Sequence, residues 1–506
     1  MPRTWSRLCV AAVAVALAVT GCSSGGATSQ TSDTLTIASL TPKTSFDTDS
    51  NLLGNDVVYW EPVFDTLLRF GKDKNLEPDL ATSWSYNAEE TELTVNLRTG
   101  VKFSDGTPFD AEAVKVNLDH SRSTPSMAAQ ELAAVTDVTV ISPEQVILKL
   151  RARDPALLPS LALVGGLIAS PKSIAAGTLA KEPVGTGPYI YDAGNSGVDR
   201  QSYIRNPEHW NKDAYPYDKV VVRSMSELTP RLNAVKNGEI SATQLSPASS
   251  DDARGAGLSL YEREVNWSGF VIADRQGSSV PALGDVRVRQ ALNYALGRDE
   301  LVEGIMLGAG TATTQIFADD SAAYDPDLDN RYPHDPAKAK ALLSEAGYPN
   351  GLDLTVPDYF SASQPGLAPA LSQQLAEAGI NVTWEKIPPS KTIPELSSGK
   401  YPIFYMQLGS RTAWEDIGQS VLPSATWNPM DARNEQLDAL LTKARSVTGD
   451  AYETALREID TWLVDNAWFA PVARSSLVFA TRDNVGVDED LWGVMVNPSL
   501  RAYTQK

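Results

Sequence analysis

A mixed α/β fold is the architecture this chain predicts, on three observations. Short runs alternate apolar and polar residues, longer runs carry helical spacing with legible ends, and glycine or proline breaks separate them. Leu93-Thr94-Val95-Asn96-Leu97-Arg98 alternates as a half-buried strand does. Val146 to Leu150 and Val220 to Val222 read as further strands. Asp105-Gly106 and Pro349-Asn350-Gly351 read as turns. Asp335 is placed to cap a helix with Pro336 at its first position; Ala339, Leu342, Leu343 and Ala346 share one face, and Gly347 ends it. Asn434 begins a second helix, with Leu437, Leu440, Leu441 and Ala444 on one side. Asp450 opens a third, with Leu456, Ile459 and Leu463 inward, and Val286 to Leu296 is a fourth. The chain has 506 residues, room for two or three domains, and its 42% hydrophobic content is enough for sizeable cores.

The N-terminus predicts export. Arg3 and Arg7 precede an apolar run from Leu8 to Val19, and small residues then lead to Cys22. Twelve residues of helix span only about 18 Å against a hydrocarbon core of about 30 Å, which disfavours a permanent membrane span. Residues 1–21 are therefore expected to be a signal peptide. Val19-Thr20-Gly21-Cys22 resembles a bacterial lipobox, and that resemblance implies acylation of Cys22 and anchoring to the extracytoplasmic face of the cell membrane. An ordinary cleaved signal with a nearby cysteine is the alternative. Residues 22–32, rich in Ser, Gly and Thr, read as a flexible tether. Cys9 is the other cysteine, so no disulfide is expected within the exported body.

A formal net charge of −20 argues against nucleic acid and against basic-patch binding to anionic lipid. It fits a solvated surface, or one that steers cationic ligands. His120, His209 and His334 are widely separated and have no metal-spaced partner; they read as surface or capping groups. No Gly-x-Ser-x-Gly elbow is present. Gly185-Thr186-Gly187-Pro188-Tyr189 is a poor phosphate loop, because Pro188 removes a backbone donor and no Lys-Ser/Thr follows. Neither catalysis, a metal nor a cofactor is expected. The eleven Trp and seventeen Tyr are scattered, mostly as core, but some suit the wall of a binding cleft.

Seven segments, in order, resemble the large solute-binding proteins of peptide and nickel ABC importers, the family 5 extracellular binding proteins. They are Tyr59 to Leu68, Pro78 to Trp84, Leu97 to Phe109, Val184 to Tyr189, Asn206 to Trp210, Val286 to Leu292 and Asp335 to Gly347. The resemblance implies a two-lobed periplasmic-binding-protein fold, large and cluster-C-like, with an extra inserted domain and a ligand cleft between the lobes. Lobe one would combine 33–58, 186–278 and 478–506; the inserted domain would be 59–185; lobe two would be 279–477. Its implied role is a receptor, expected as a monomer, that delivers a small-molecule or peptide ligand to ABC permease subunits.

In peptide-binding relatives the ligand lies extended between the lobes, its backbone pairing with strands and its ends meeting charged side chains. Three segments are the candidates by that resemblance: Ser45, Phe46 and Asp47 after the opening strand; Trp267 on a strand near the lobe crossover; and the strand and loop from Tyr405 through Arg411, Trp414 and Asp416. Asp416 would pair a ligand amine and Arg411 a carboxylate, with Tyr359 reaching in from a loop. After Trp414 the chain departs from the family's pattern, reading Asp416-Ile417-Gly418-Gln419-Ser420. A short peptide is the expected solute. A metal chelate, an opine-like conjugate or a small glycan is the alternative, as is an envelope scaffold or sensor without transport; three histidines disfavour free nickel.

Overall fold

Two long strands, Ser259–Ile272 and Phe469–Thr481, run antiparallel to one another and carry the chain from one lobe to the other. At 14 and 13 residues they exceed the usual 3–10. The computed structural model describes residues 33–361, 364–388, 391–423 and 425–506. The expected signal peptide and tether, and Cys22 with them, lie outside the described residues. No helix among those described is long and apolar enough to cross a membrane.

At one end of the long pair, the sheet continues through Ala242–Leu245, Thr34–Ser39, Lys219–Ser224, Arg200–Arg205 and Tyr189–Tyr191. Thr34–Ser39 is parallel to both its neighbours and the other pairings are antiparallel. At the other end, Ile403–Gly409 pairs with Asn266 to Ile272, and Gly310–Ala312 pairs with Ala473 to Ser475. The long pair has register shifts at Glu264/Asn266 and Ser268/Gly269. A Cβ on Gly269 would come within 2.5 Å of the Ala470 carbonyl oxygen, so glycine lets the strands close up opposite Pro471, which has no N–H to pair.

The apolar cores divide on either side of this pair. One cluster joins Leu35 to Val222 with Phe479 and the tail residues Val485 to Tyr503; two others lie between Trp267 and Ala473. The first includes the antiparallel sheet Ala81–Tyr86, Glu92–Leu97, Gln145–Leu150, Val135–Ser142, with helix Ala111–Ser121 packed on it. Leu93, Val95 and Leu97 are buried and their neighbours are not, as the alternation predicts.

Most of the family-like segments are packing devices. Cβ atoms on Gly185 and Gly187 would stand 2.1 and 2.4 Å from the Val63 backbone, because this stretch hydrogen-bonds along Pro62 and Val63. The Asp65 carboxylate accepts from Trp210 Nε1 at 3.2 Å and from His209 at 3.3 Å. His209 is thus buried, not a surface group, since it pairs with a carboxylate held inside the core. Arg289 donates to the carbonyls of Leu283 (2.9 Å) and Asn466 (3.0 Å), tying helix Val286–Tyr294 to the loop before the second long strand. Asp335 and Asn434 cap their helices as expected, each worth about 1 kcal/mol. The third helix begins at Gly449 with Thr448 as its cap residue, one position before Asp450.

Candidate functional site

A cavity of about 680 Å³ opens between the lobes, within the range of about 300–1,000 Å³ usual for small-molecule sites. One side is lined by Gly71, Lys74, Pro155 and Pro159, with Arg263 on the first long strand and Glu489, Asp490 and Gly493 in the tail. The other side is lined by Asp320 to Ala322, Arg411 to Trp414, Tyr452 and Leu456.

The Arg411 wall is built by a helix start. Strand Ile403–Gly409 ends, and helix Ala413–Ser420 begins with a reciprocal capping box between Thr412 and Glu415. The segment read as a loop is therefore a helix; Thr-x-x-Glu is its signature. The cap turns Asp416 inward, where it is 1% exposed. Its Oδ1 accepts from the Arg411 backbone N–H and from Gln419 Nε2, both at 3.0 Å, while Oδ2 has no hydrogen-bond partner among the described residues. Burial, opposed by that N–H and by the guanidinium, pushes Asp416 up to about 8.

The Arg411 guanidinium donates to Glu131 and Glu415, each at 3.2 Å. Glu131 comes from helix Met127–Glu131, far away in sequence, and also accepts from the Gly165 N–H at 3.2 Å. Burial pushes Glu131 up to about 7, with Arg411 pulling it down and Glu415 adding to the rise. Burial alone would lower Arg411, but Glu415 and Glu131 outweigh it and hold the guanidinium above its ordinary value.

Lys74 and Arg153 also reach across to the second side. Lys74 pairs with Asp320. Arg153 pairs with Glu90, donates to the Ala444 carbonyl at 3.2 Å and lies 5.1 Å from the Tyr452 ring centroid. Arg445 stacks in the same way on Trp414, at 5.3 Å. The two aromatic rings of this wall are thus backed by cations and fixed in place.

Arg263 is different. It is half-buried, with its guanidinium 5.2 Å from the Trp492 ring centroid. Its Nη1 is buried and has no hydrogen-bond partner among the described residues. Burial lowers its pKa, with Asp320 and Glu489 pulling the other way. The sequence singles out Trp267 on this strand and not Arg263. Glu262-Arg263-Glu264 in a strand is a visible charge alternation, but which of those charges is left over is a tertiary fact.

The other expected site residues fall into three places. Arg411 and Trp414 line the cleft, and Asp416 lies behind Arg411. Trp267 is wholly buried against Phe469, and Tyr405 is 3% exposed between Phe270 and Phe360. Tyr359 donates to the Tyr405 carbonyl at 3.2 Å. Ser45 Oγ accepts from the Asp47 N–H, Phe46 packs on Tyr191, and Asp47 meets His120 Nε2 at 2.6 Å. That bond is the main cause that raises His120 and lowers Asp47. Asp47, Asp49 and His120 bring ligand-type atoms within 4.8 Å of one another, away from the cleft lining.

Comparison with known proteins places this architecture. A family model described as bacterial extracellular solute-binding proteins, family 5, middle region, matches residues 75–428. The glutathione-binding protein GsiB of Pectobacterium atrosepticum is 28% identical over 426 residues, covering 77% of this chain and 78% of that protein. GsiB of Escherichia coli K12 is 28% identical over 449 residues, covering 82% and 84%. Among solved structures, the binding protein AgaA of A. tumefaciens in complex with agropinic acid superposes with a TM-score of 0.81 at 22% identity, covering 94% of this chain and 99% of that one. The dipeptide-binding protein of a Pseudoalteromonas species in complex with Met-Leu gives 0.80 at 20% identity, covering 94% and 100%. The lobes, the crossing strand pair and the matched family model agree, and this chain belongs to the bacterial extracellular solute-binding proteins of family 5.

Proposed function

We propose that this chain is a lipid-anchored receptor that captures a short peptide between its lobes and hands it to the permease subunits of an ABC importer. The cleft carries the reading. It is large enough for a few residues, it offers the rings of Trp414 and Tyr452, and its lining holds three cations and three carboxylates in Lys74, Arg263, Arg411, Asp320, Glu489 and Asp490. A zwitterion with an extended backbone suits that balance better than a purely cationic or apolar solute. The glutathione-binding relatives, 28% identical, support a small peptide.

We assign lobe one to 33–58, 186–278 and 478–506, the inserted domain to 59–185 and lobe two to 279–477; the apolar clusters support the parting of lobe two from the rest, while lobe one and the inserted domain share one cluster. Closure is then a hinge motion about those strands, and a solute that contacts both lobes shifts the equilibrium toward the closed form. Trp414 is the aromatic wall, Arg411 and Asp416 set the shape of that wall, and the chain works as a monomer. Cys22 is the acylated residue, with 22–32 as tether.

Thermal unfolding with pooled di- to hexapeptides tests the solute class. A peptide at about 100 times its dissociation constant adds about 2.7 kcal/mol and raises the midpoint by several degrees. If no peptide pool moves the midpoint while opines, metal chelates or oligosaccharides do, the solute belongs to that other class. For the anchor, Cys22→Ala is expected to move the protein from the detergent phase to the aqueous phase on Triton X-114 partition.

A further inference from the structure

We propose that Arg263 is the anion anchor of the cleft and receives the free carboxylate of the bound solute, which narrows the solute class to peptides with an unblocked C-terminus. The proposal rests on the reading of the cleft as a peptide site and adds the group that orients the peptide there.

Three cations line the cleft: Lys74, Arg263 and Arg411. Lys74 is engaged by Asp320, and Arg411 by Glu131 and Glu415. Among the described residues, the Arg263 guanidinium has neither an ion pair nor a hydrogen bond, and its Nη1 is shielded from water. A buried charged donor without a partner is unfavourable. An arriving carboxylate removes that cost, so the interaction counts more for a ligand that carries one.

The neighbours along the strand cannot neutralise Arg263. In an extended strand Glu262 and Glu264 point to the opposite face. Both are also occupied: Glu262 by Arg254 at 2.8 Å and Glu264 by Arg474 at 3.1 Å. Asp320 and Glu489 attract the guanidinium from a distance without bonding to it. The same two carboxylates would draw a peptide's ammonium to the far side of its carboxylate.

The guanidinium is also preorganised. It lies on the face of Trp492, whose indole N–H donates to the Met495 carbonyl at 3.0 Å and whose ring packs on Phe479 at 5.4 Å. A guanidinium fixed in plane offers a two-pronged fork that matches a carboxylate, which a lysine does not.

The test uses the full exported chain, titrated calorimetrically with three probe sets: pooled tripeptides as free acids, the same pool as C-terminal amides, and non-peptide mono- and dicarboxylates. The wild type is expected to bind the free acids at least about 10-fold tighter than the amides, the factor of a charge-assisted hydrogen bond. Arg263→Met is expected to bind acids and amides alike, and to melt without ligand close to the wild type, since it loses no hydrogen bond or ion pair and trades the stacking on Trp492 for relief of an unpartnered charge. An acid preference that survives in R263M overturns the anchor and leaves the peptide reading standing. Arg263-dependent binding of non-peptide carboxylates, with peptides ignored, keeps the anchor and removes the peptide reading. Silence toward all three sets removes both. Should R263M fail to fold, Arg263→Lys decides: the fork predicts a loss for free acids with none for amides, and equal effects on the two overturn it.

Discussion

Arg411 and Arg263 face the same cleft, yet one is crowded by carboxylates while the guanidinium of the other, among the described residues, stacks on Trp492 without a hydrogen bond or ion pair. Around Arg411 stand Glu131, Glu415 and Asp416, three acids to one guanidinium, and burial pushes Glu131 to about 7 and Asp416 to about 8. That region stores protons and joins two segments remote in sequence. Beside Arg263, Glu262 and Glu264 are paired with Arg254 and Arg474, while the Arg263 guanidinium has no hydrogen bond or ion pair among the described residues. A cation in a cleft is therefore no guide to ligand contact; what matters is whether the fold has already used it.

The largest expected effect comes from removing the crowded arginine. Arg411→Met leaves a buried acidic cluster without its cation and is expected to lower the unfolding free energy by about 3–5 kcal/mol in urea titration. A loss below about 1 kcal/mol would mean that Glu131 and Glu415 are simply protonated, and Arg411 would lose its structural role.

The second effect is a pH dependence with a definite sign. With the lobes together, burial pushes Glu131 up to about 7 beside Arg411, Glu415 and the Gly165 N–H; on parting, rehydration is expected to bring it back toward the ordinary 4.5. Between those values the closed form holds a proton that the open form has released. Raising the pH through that window therefore favours opening, by at most about tenfold per pH unit for one proton. The dependence vanishes below and above the window, as far as Glu131 is concerned. Small-angle scattering of wild type and Glu131→Gln across pH 4 to 8 reads it: the wild type expands as pH rises, and the variant, neutral at every pH, expands less.

Smaller still is the effect at the rim. Lys74 and Asp320 have side chains 31% and 52% exposed, so Lys74→Met is expected to cost no more than about 1 kcal/mol in the same urea titration. A cost matching that of Arg411→Met would erase the distinction between rim and buried bridge.

The fold was legible where its causes are local. Asp335 and Asn434 announce their helices because a cap needs only the next three residues. Gly185 and Gly187 mark a tight approach to Val63 that the sequence signals as a motif without revealing its partner. At the site, the segment holding Arg411 and Trp414 is legible through family resemblance, and the Thr412 and Glu415 pair that makes it a helix rather than the expected loop is visible as a capping box. His209 hid its burial because Asp65 lies far off in the chain. Arg263 was illegible for a deeper reason. Its vacancy depends on Arg254, Arg474 and Trp492 each being placed by tertiary packing, and no short-range pattern encodes a missing partner.

Native mass spectrometry of the full exported chain, purified gently and then denatured, tests the central claim most directly. Capture of a short peptide between the lobes predicts release of a small molecule that fragments as a peptide and carries a free C-terminal carboxylate. Release of an opine, chelate or sugar, with no peptide, would contradict it.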